Sequence, residues 1–124
     1  MNKHLSPETI IQNQLDAYNA HDLDALLGTY ADDAKQFEHP GILLASGHAQ
    51  IRERMAGRFQ DTHLNAKLIK RSVMGNVVID QEEVTRTFPE GRGVIELVVI
   101  YGVQDEKIKT SSVIFGATKL DARK

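Results

Sequence analysis

The chain reads as an α+β domain, helices first and an antiparallel meander afterwards, and three features carry that reading. Residues 7–60 set apolar side chains at helical spacing, with one short strand among them. Residues 64–119 are rich in Val, Ile, Thr and aromatics. Short turn signals divide this second half into four runs, and no connection is long enough for a crossover helix. Helices followed by strands in this order pack on one face of a sheet.

The first helix starts at Ser6-Pro7-Glu8, a capping hydroxyl, a proline at the first helical position and an acid near the positive dipole end. Its apolar stripe runs Ile11, Leu15, Tyr18. Asn19-Ala20-His21-Asp22 breaks it, and Asp22 can cap a second helix carrying Leu23, Leu26, Leu27 and Tyr30 that closes near Asp32-Asp33. Lys35 to His39 reads as a short strand ended by Pro40-Gly41. A third helix begins near Ser46-Gly47 and buries Ile51, Met55 and Phe59. The four strands fall at 64–74, 76–88, 93–104 and 107–119, with turns at Gly75-Asn76, Pro89 to Gly93 and Asp105-Glu106. No repeat, low-complexity tract or linker interrupts the chain, so a single domain over residues 1–124 is expected.

Composition narrows the function classes. With 41% hydrophobic and 26% charged residues the chain matches an ordinary soluble globule. A formal charge of -2 gives no electrostatic reason to expect nucleic acid or an acidic membrane as partner. Arg52, Arg54 and Arg58, interrupted by Glu53, read as a solvated helix face. The absence of cysteine excludes disulfides and thiolate chemistry, and the 5 histidines show no compact ligand spacing, so no metal and no cofactor are expected. Met1 to Pro7 lacks an apolar signal core and no apolar run approaches about 18 residues, which points to a cytoplasmic protein.

Four segments go further: Tyr18-Asn19-Ala20-His21-Asp22-Leu23-Asp24, Tyr30-Ala31-Asp32-Asp33-Ala34, Glu38-His39-Pro40-Gly41 and Gly47-His48-Ala49-Gln50-Ile51-Arg52-Glu53. With the order αα-β-α-ββββ they resemble the nuclear-transport-factor-2-like superfamily, which includes ketosteroid isomerases and SnoaL-type polyketide cyclases. The resemblance implies a cone-shaped, cystatin-like α+β fold, with three N-terminal helices on a strongly curved, mixed, mostly antiparallel sheet around a pocket. It implies a small hydrophobic or carbonyl-bearing ligand and, as chemistry, proton transfer in an isomerisation or cyclisation. A non-catalytic ligand binder and a pure interaction module stand as alternatives on the same fold. Members are commonly homodimers through the outer sheet face, where Val99, Tyr101, Val103 and Ile114 would form the patch.

Candidate site residues follow from both sources. His39 resembles the catalytic aspartate position of the isomerases, which also precedes a proline; a one-residue shift would put Glu38 there instead. An imidazole accepts a proton near neutrality without tuning, although a histidine capping the strand at the rim is the plain alternative. Gln14 shares the stripe of Ile11, Leu15 and Tyr18 and resembles the position of an oxyanion-hole tyrosine; bonding to nearby backbone would equally satisfy its amide. Glu96 is a lone acid in Val94 to Ile100, so it either faces inward with a partner or simply points outward. With a loop from Pro89 to Arg92, Glu83 opposes Val98 and Gln81 opposes Ile100, whereas a one-residue slip exchanges Gln81 and Glu83 for Asp80 and Glu82. The expected lining is Tyr18, Tyr30, Phe59, Gln81, Val98, Ile100, Val113 and Phe115. Ile100 also matches the position of the isomerases' second oxyanion donor, a carboxyl, and its loss with that of the tyrosine argues against efficient ketosteroid isomerisation.

Overall fold

The computed structural model describes residues 4–121. Met1 to Lys3, part of the stretch read for a signal core, lie outside the described residues, as do 122–124. The elements run α1 (Pro7–Asn19), α2 (Leu23–Gly28), β1 (Tyr30–Glu38), β2 (Ile42–Ser46), α3 (Gly47–Phe59), β3 (Asn65–Met74), β4 (Val77–Phe88), β5 (Gly91–Gln104) and β6 (Lys107–Leu120). Three helices cover one face of a six-stranded mixed sheet with the order β2-β1-β6-β5-β4-β3. The β1–β6 pair is parallel and every other pair antiparallel.

Local chemistry sets the boundaries. Ser6 accepts a hydrogen bond from the Thr9 amide at 3.1 Å and Pro7 opens α1, so the expected cap is present. Asp22 caps α2 in the same way through the Ala25 amide, 3.1 Å. That helix is shorter than the sequence suggested. It ends at Gly28, so Tyr30, Asp32 and Asp33 belong to β1 instead. Ile42–Ser46 adds a strand, β2, that has no counterpart in the expected order; its mainly exposed, unalternating apolar residues gave no period to read.

The β4–β5 hairpin turns through Pro89-Glu90 alone, with Phe88 opposite Gly91. Gln81 therefore opposes Val98, and Glu83 opposes Glu96, two residues from the expected register. A shift of two keeps each residue on its face, so the larger correction concerns which face is inside. Ile95, Leu97, Val99, Tyr101 and Val103 point into the core, while Glu96, Val98 and Ile100 alternate with them on the other side. Tyr101, Val99 and Val103 are thus core residues and cannot form an outer patch. Ile114, 39% exposed, does lie on the open face.

The core joins Ile10, Ile11 and Leu15 of α1, Leu26 and Leu27 of α2, and Ile51 and Met55 of α3 to the inward residues of β3 to β6. The end of α1 is pinned to β3 by side chains of the Asn19 to Asp22 segment. The Asn19 amide exchanges two hydrogen bonds with the Ala66 backbone, 2.8 and 2.9 Å. His21 Nε2 donates to the Leu64 carbonyl at 2.8 Å, and its ring stacks on Phe59 with centroids 5.2 Å apart.

One ion pair is built into this core. Asp80, fully buried on β4, receives two parallel bonds from Arg71 of β3, Nε to Oδ1 at 2.7 Å and a terminal nitrogen to Oδ2 at 2.9 Å. Arg71 also donates to Gln12 Oε1 of α1, 2.9 Å. Removing one partner of such a pair strands a buried charge, so Arg71→Met is expected to cost about 3–5 kcal/mol in urea denaturation, and Arg71→Met combined with Asp80→Leu to recover most of that loss.

Candidate functional site

Between α1, α3 and the inner sheet face lies a cavity of about 90 Å³ that opens to solvent. Six elements send polar groups into it: Gln14 and Tyr18 from α1, Tyr30 and Gln36 from β1, Arg54 and Arg58 from α3, Glu82 and Arg86 from β4, Tyr101 from β5 and Ser111 from β6. Val113 and Phe115 of β6 complete the wall with Leu97 and Val99. A second, more open recess of about 400 Å³ adjoins it and shares Arg54, Arg58 and Arg86.

Hydrogen bonds order the inner groups. Tyr101 Oη donates to Gln14 Oε1 at 3.3 Å, which leaves both Gln14 N–H groups as uncommitted donors among the described residues. Arg54 donates to Gln36 Oε1 at 2.8 Å, and Gln36 Nε2 donates to Tyr30 Oη at 3.3 Å. Burial pushes the Tyr18 hydroxyl up to about 12, and raises Tyr30 and Tyr101 as well, so all three phenols stay protonated donors at neutral pH.

Glu82 is the outlier. It is 6% exposed and, among the described residues, its carboxyl makes no hydrogen bond and no ion pair. Burial first, then the negative charge of Asp80, push its pKa up to about 7 against a smaller opposing pull from Arg71. The two carboxyls stand two residues apart on the same face of β4, and Arg71 is committed to Asp80. A group of this kind holds and releases its proton in the neutral range.

The expected residues divide on placement. Gln14, Tyr18, Tyr30, Val113 and Phe115 line the cavity. His39 does not: β1 ends at Glu38, which puts His39 in the following turn with its side chain exposed and its amide bonded to the Val113 carbonyl, 2.9 Å. Glu38 is half-buried and also outside the lining. Glu96, Gln81, Val98 and Ile100 point to the open face, because the apolar alternation of β5 buries its odd-numbered residues. Phe59 packs beside the cavity, edge-on to Tyr18 at 5.7 Å and flat on His21, and does not line it. Sequence reasoning missed Gln36, Arg54, Arg58, Arg86 and Tyr101, and held Glu82 only as the outcome of a slipped register. The signal for the face was present: Glu96, Gly102 and Gln104 all fall on one side of β5, and Ile95 to Val103 in steps of two are free of charge.

The Glu82 shift has a definite stability sign. Between its ordinary value near 4.5 and about 7 the folded state holds more protons than the unfolded chain, so stability falls as pH rises through that window. Glu82→Gln is expected to stabilise the protein by about 2–3 kcal/mol at about pH 8 and by little at about pH 4, as read by urea denaturation at the two pH values.

Comparison with known proteins agrees with this architecture. A family model described as the SnoaL-like domain matches residues 11–110. A search of curated protein sequences finds no match. Among solved structures, a cystatin-fold protein from Novosphingobium aromaticivorans superposes with a TM-score of 0.83 at 23% identity, covering 90% of this chain and 99% of its own. A protein with a ketosteroid isomerase-like fold from Catenulispora acidiphila, in complex with trimethylamine, gives 0.74 at 17% identity, covering 88% and 85%. The epoxide hydrolase/cyclase-like enzyme SalBIII of pyran ring formation in salinomycin gives 0.80 at 19% identity, covering 89% and 90%. These similarities show a shared fold. With its helices on a mixed six-stranded sheet and a family match across most of its length, the chain belongs to the SnoaL-like family of the nuclear-transport-factor-2-like superfamily.

Proposed function

We propose that the cavity binds a small carbonyl compound and that Glu82 moves a proton on it, in an isomerisation or cyclisation of the kind run on related folds. The observation that carries this reading is the solitary buried carboxyl facing an open cavity, held near 7 by desolvation and by Asp80. A base at that value abstracts a proton from carbon beside a carbonyl, and the resulting acid returns it one position away. The negative charge that develops on the carbonyl oxygen needs donors that stay neutral. The Gln14 amide and the Tyr18 and Tyr30 hydroxyls line the same space and are protonated throughout the neutral range. His39 and Glu96 have no part in this scheme.

Proton abstraction is testable before the natural substrate is known. A panel of small ketones and keto acids in deuterated water, followed by proton NMR, reports exchange at the carbon beside the carbonyl. Exchange catalysed by the wild-type protein should rise with pH through an inflection near 7, and Glu82→Gln should slow it by about 10²–10⁴-fold. Exchange that Glu82→Gln leaves intact would refute the assignment. Saturable binding without exchange on any compound would favour the non-catalytic binder.

The open sheet face supports a second copy of the chain as partner. Ile79 opposes Ile100, and Val98 opposes Ile114, which sets an apolar stripe across β4, β5 and β6; Ile79 and Ile114 are 38% and 39% exposed. Sedimentation velocity should show a homodimer for the wild type and a monomer for Ile114→Glu. Among the described residues no helix is long and apolar enough to cross a membrane.

A further inference from the structure

We infer that the ligand of this pocket is an anion, a short keto carboxylate, whose carboxylate is held by Arg58 and Arg86 where the inner cavity meets the outer recess. The position of its carbonyl beside Glu82 rests on the acid–base reading; the anion site rests on the arginines alone.

Three guanidiniums converge there from two sides. Arg54 and Arg58 are one turn apart on α3 and share a face, and Arg86 comes from β4. All three line both the inner cavity and the outer recess. The other arginines among the described residues are neutralised: Arg52, Arg71 and Arg92 reach the carboxylates of Asp24, Asp80 and Asp121 at 2.9, 2.7 and 2.8 Å. Among the described residues, Arg54, Arg58 and Arg86 have no carboxylate within ion-pair distance. Arg54 donates to a neutral amide, and Arg86 lies over the Phe88 ring, 5.0 Å from its centroid.

Two acids are close enough to matter, and together they offset only part of the charge of three guanidiniums. Asp61 lines the outer recess as an anion whose oxygens accept from the Thr87 amide and hydroxyl and from the His63 amide, and it attracts Arg86 without pairing with it. Glu82 is protonated for much of the time near neutral pH. Like charges one helical turn apart are unfavourable in themselves, and burial together with mutual repulsion depresses the proton affinity of Arg54 and Arg86. An anion relieves that repulsion, and the planar guanidinium fork suits a carboxylate.

Size sets the rest of the ligand. The inner space, about 90 Å³, is smaller than the roughly 150 Å³ hole that accepts one benzene. It takes a carbonyl and a few carbons, not a fused ring system. The remainder of the molecule must pass the arginines into the recess of about 400 Å³.

Levulinate and its neutral methyl ester are a matched pair of probes. In NMR titrations of the full chain observing arginine Nε–H signals, levulinate should shift Arg58 and Arg86 and bind about tenfold or more tightly than the ester. Added sodium chloride should narrow that gap. Arg58→Gln and Arg86→Gln, both at partly exposed positions, should each remove most of the preference, with folding checked by urea denaturation. Equal shifts from acid and ester, a preference that both variants retain, or no shift of these signals up to about 50 mM acid would overturn the proposal. The two readings fail separately. Glu82→Gln should keep the preference for the acid, whereas loss of the preference would leave Glu82-dependent exchange untouched.

Discussion

Two carboxyls share the inner face of β4, and the guanidinium beside them bonds only one. Asp80 and Glu82 project from the same face of β4, and Arg71 is bonded twice to Asp80 and once to Gln12. The arrangement closes α1 over β3 and β4, since the same cation bridges the helix and both strands. It also leaves Glu82 beside a fixed negative charge with no protein donor of its own. The raised proton affinity of Glu82 is therefore in part a by-product of how the core charge is neutralised. Any substitution at Arg71 or Asp80 changes the fold's stability and the proton affinity of Glu82 together.

The polar residues around the cavity sort by whether their bonds are already made. Gln36 is used on both ends, between Arg54 and Tyr30, and Tyr101 is spent on Gln14. These bonds fix rotamers on four different elements and hold the wall in shape. Tyr18, Glu82, Arg58 and Arg86 carry capacity that the protein does not consume. All four line the inner cavity, and Arg58 and Arg86 also line the adjoining recess.

The architecture was legible because it rests on period and punctuation. Ser6-Pro7 and Asp22 cap helices as their chemistry requires, and Gly75-Asn76 and Asp105-Glu106 separate strands whose bounds agree within a few residues. The site was legible in part, through Gln14 and Tyr18 of α1 and through Val113 and Phe115 of β6. Gln14 and Tyr18 follow from a stripe that a helix fixes by itself, whereas Val94, Val98 and Ile100 make the outer face of β5 nearly as apolar as the inner one and leave Glu96 and Gln104 as the main mark of the difference. Glu96 looked like an interior acid because it is alone among apolar residues; it is alone because the outer face of a middle strand is itself half covered by its neighbours. His39 failed for a different reason, since a strand that stops one residue earlier turns an inward position into a turn. Arg54 and Arg58 were hidden by Arg52 and Glu53, exposed neighbours that made the whole segment look solvated. The Asn19 to Asp22 segment carried part of the family resemblance and is a structural clasp, not a reactive one.

The parallel pairing of β1 with β6 has a consequence for how the molecule assembles. Glu38 lies against Val113, and the whole meander of β3, β4 and β5 is threaded between those two partners in the chain. Contacts so remote in sequence form late and slowly, because the loop between them must close first. A growing polypeptide that has not yet emerged as far as Val113 has its three helices, the β1–β2 hairpin and the β3 to β5 meander, yet not the paired β6 that joins the hairpin to the meander. The cavity is accordingly all-or-nothing during synthesis, because its wall is incomplete until the last strand has paired.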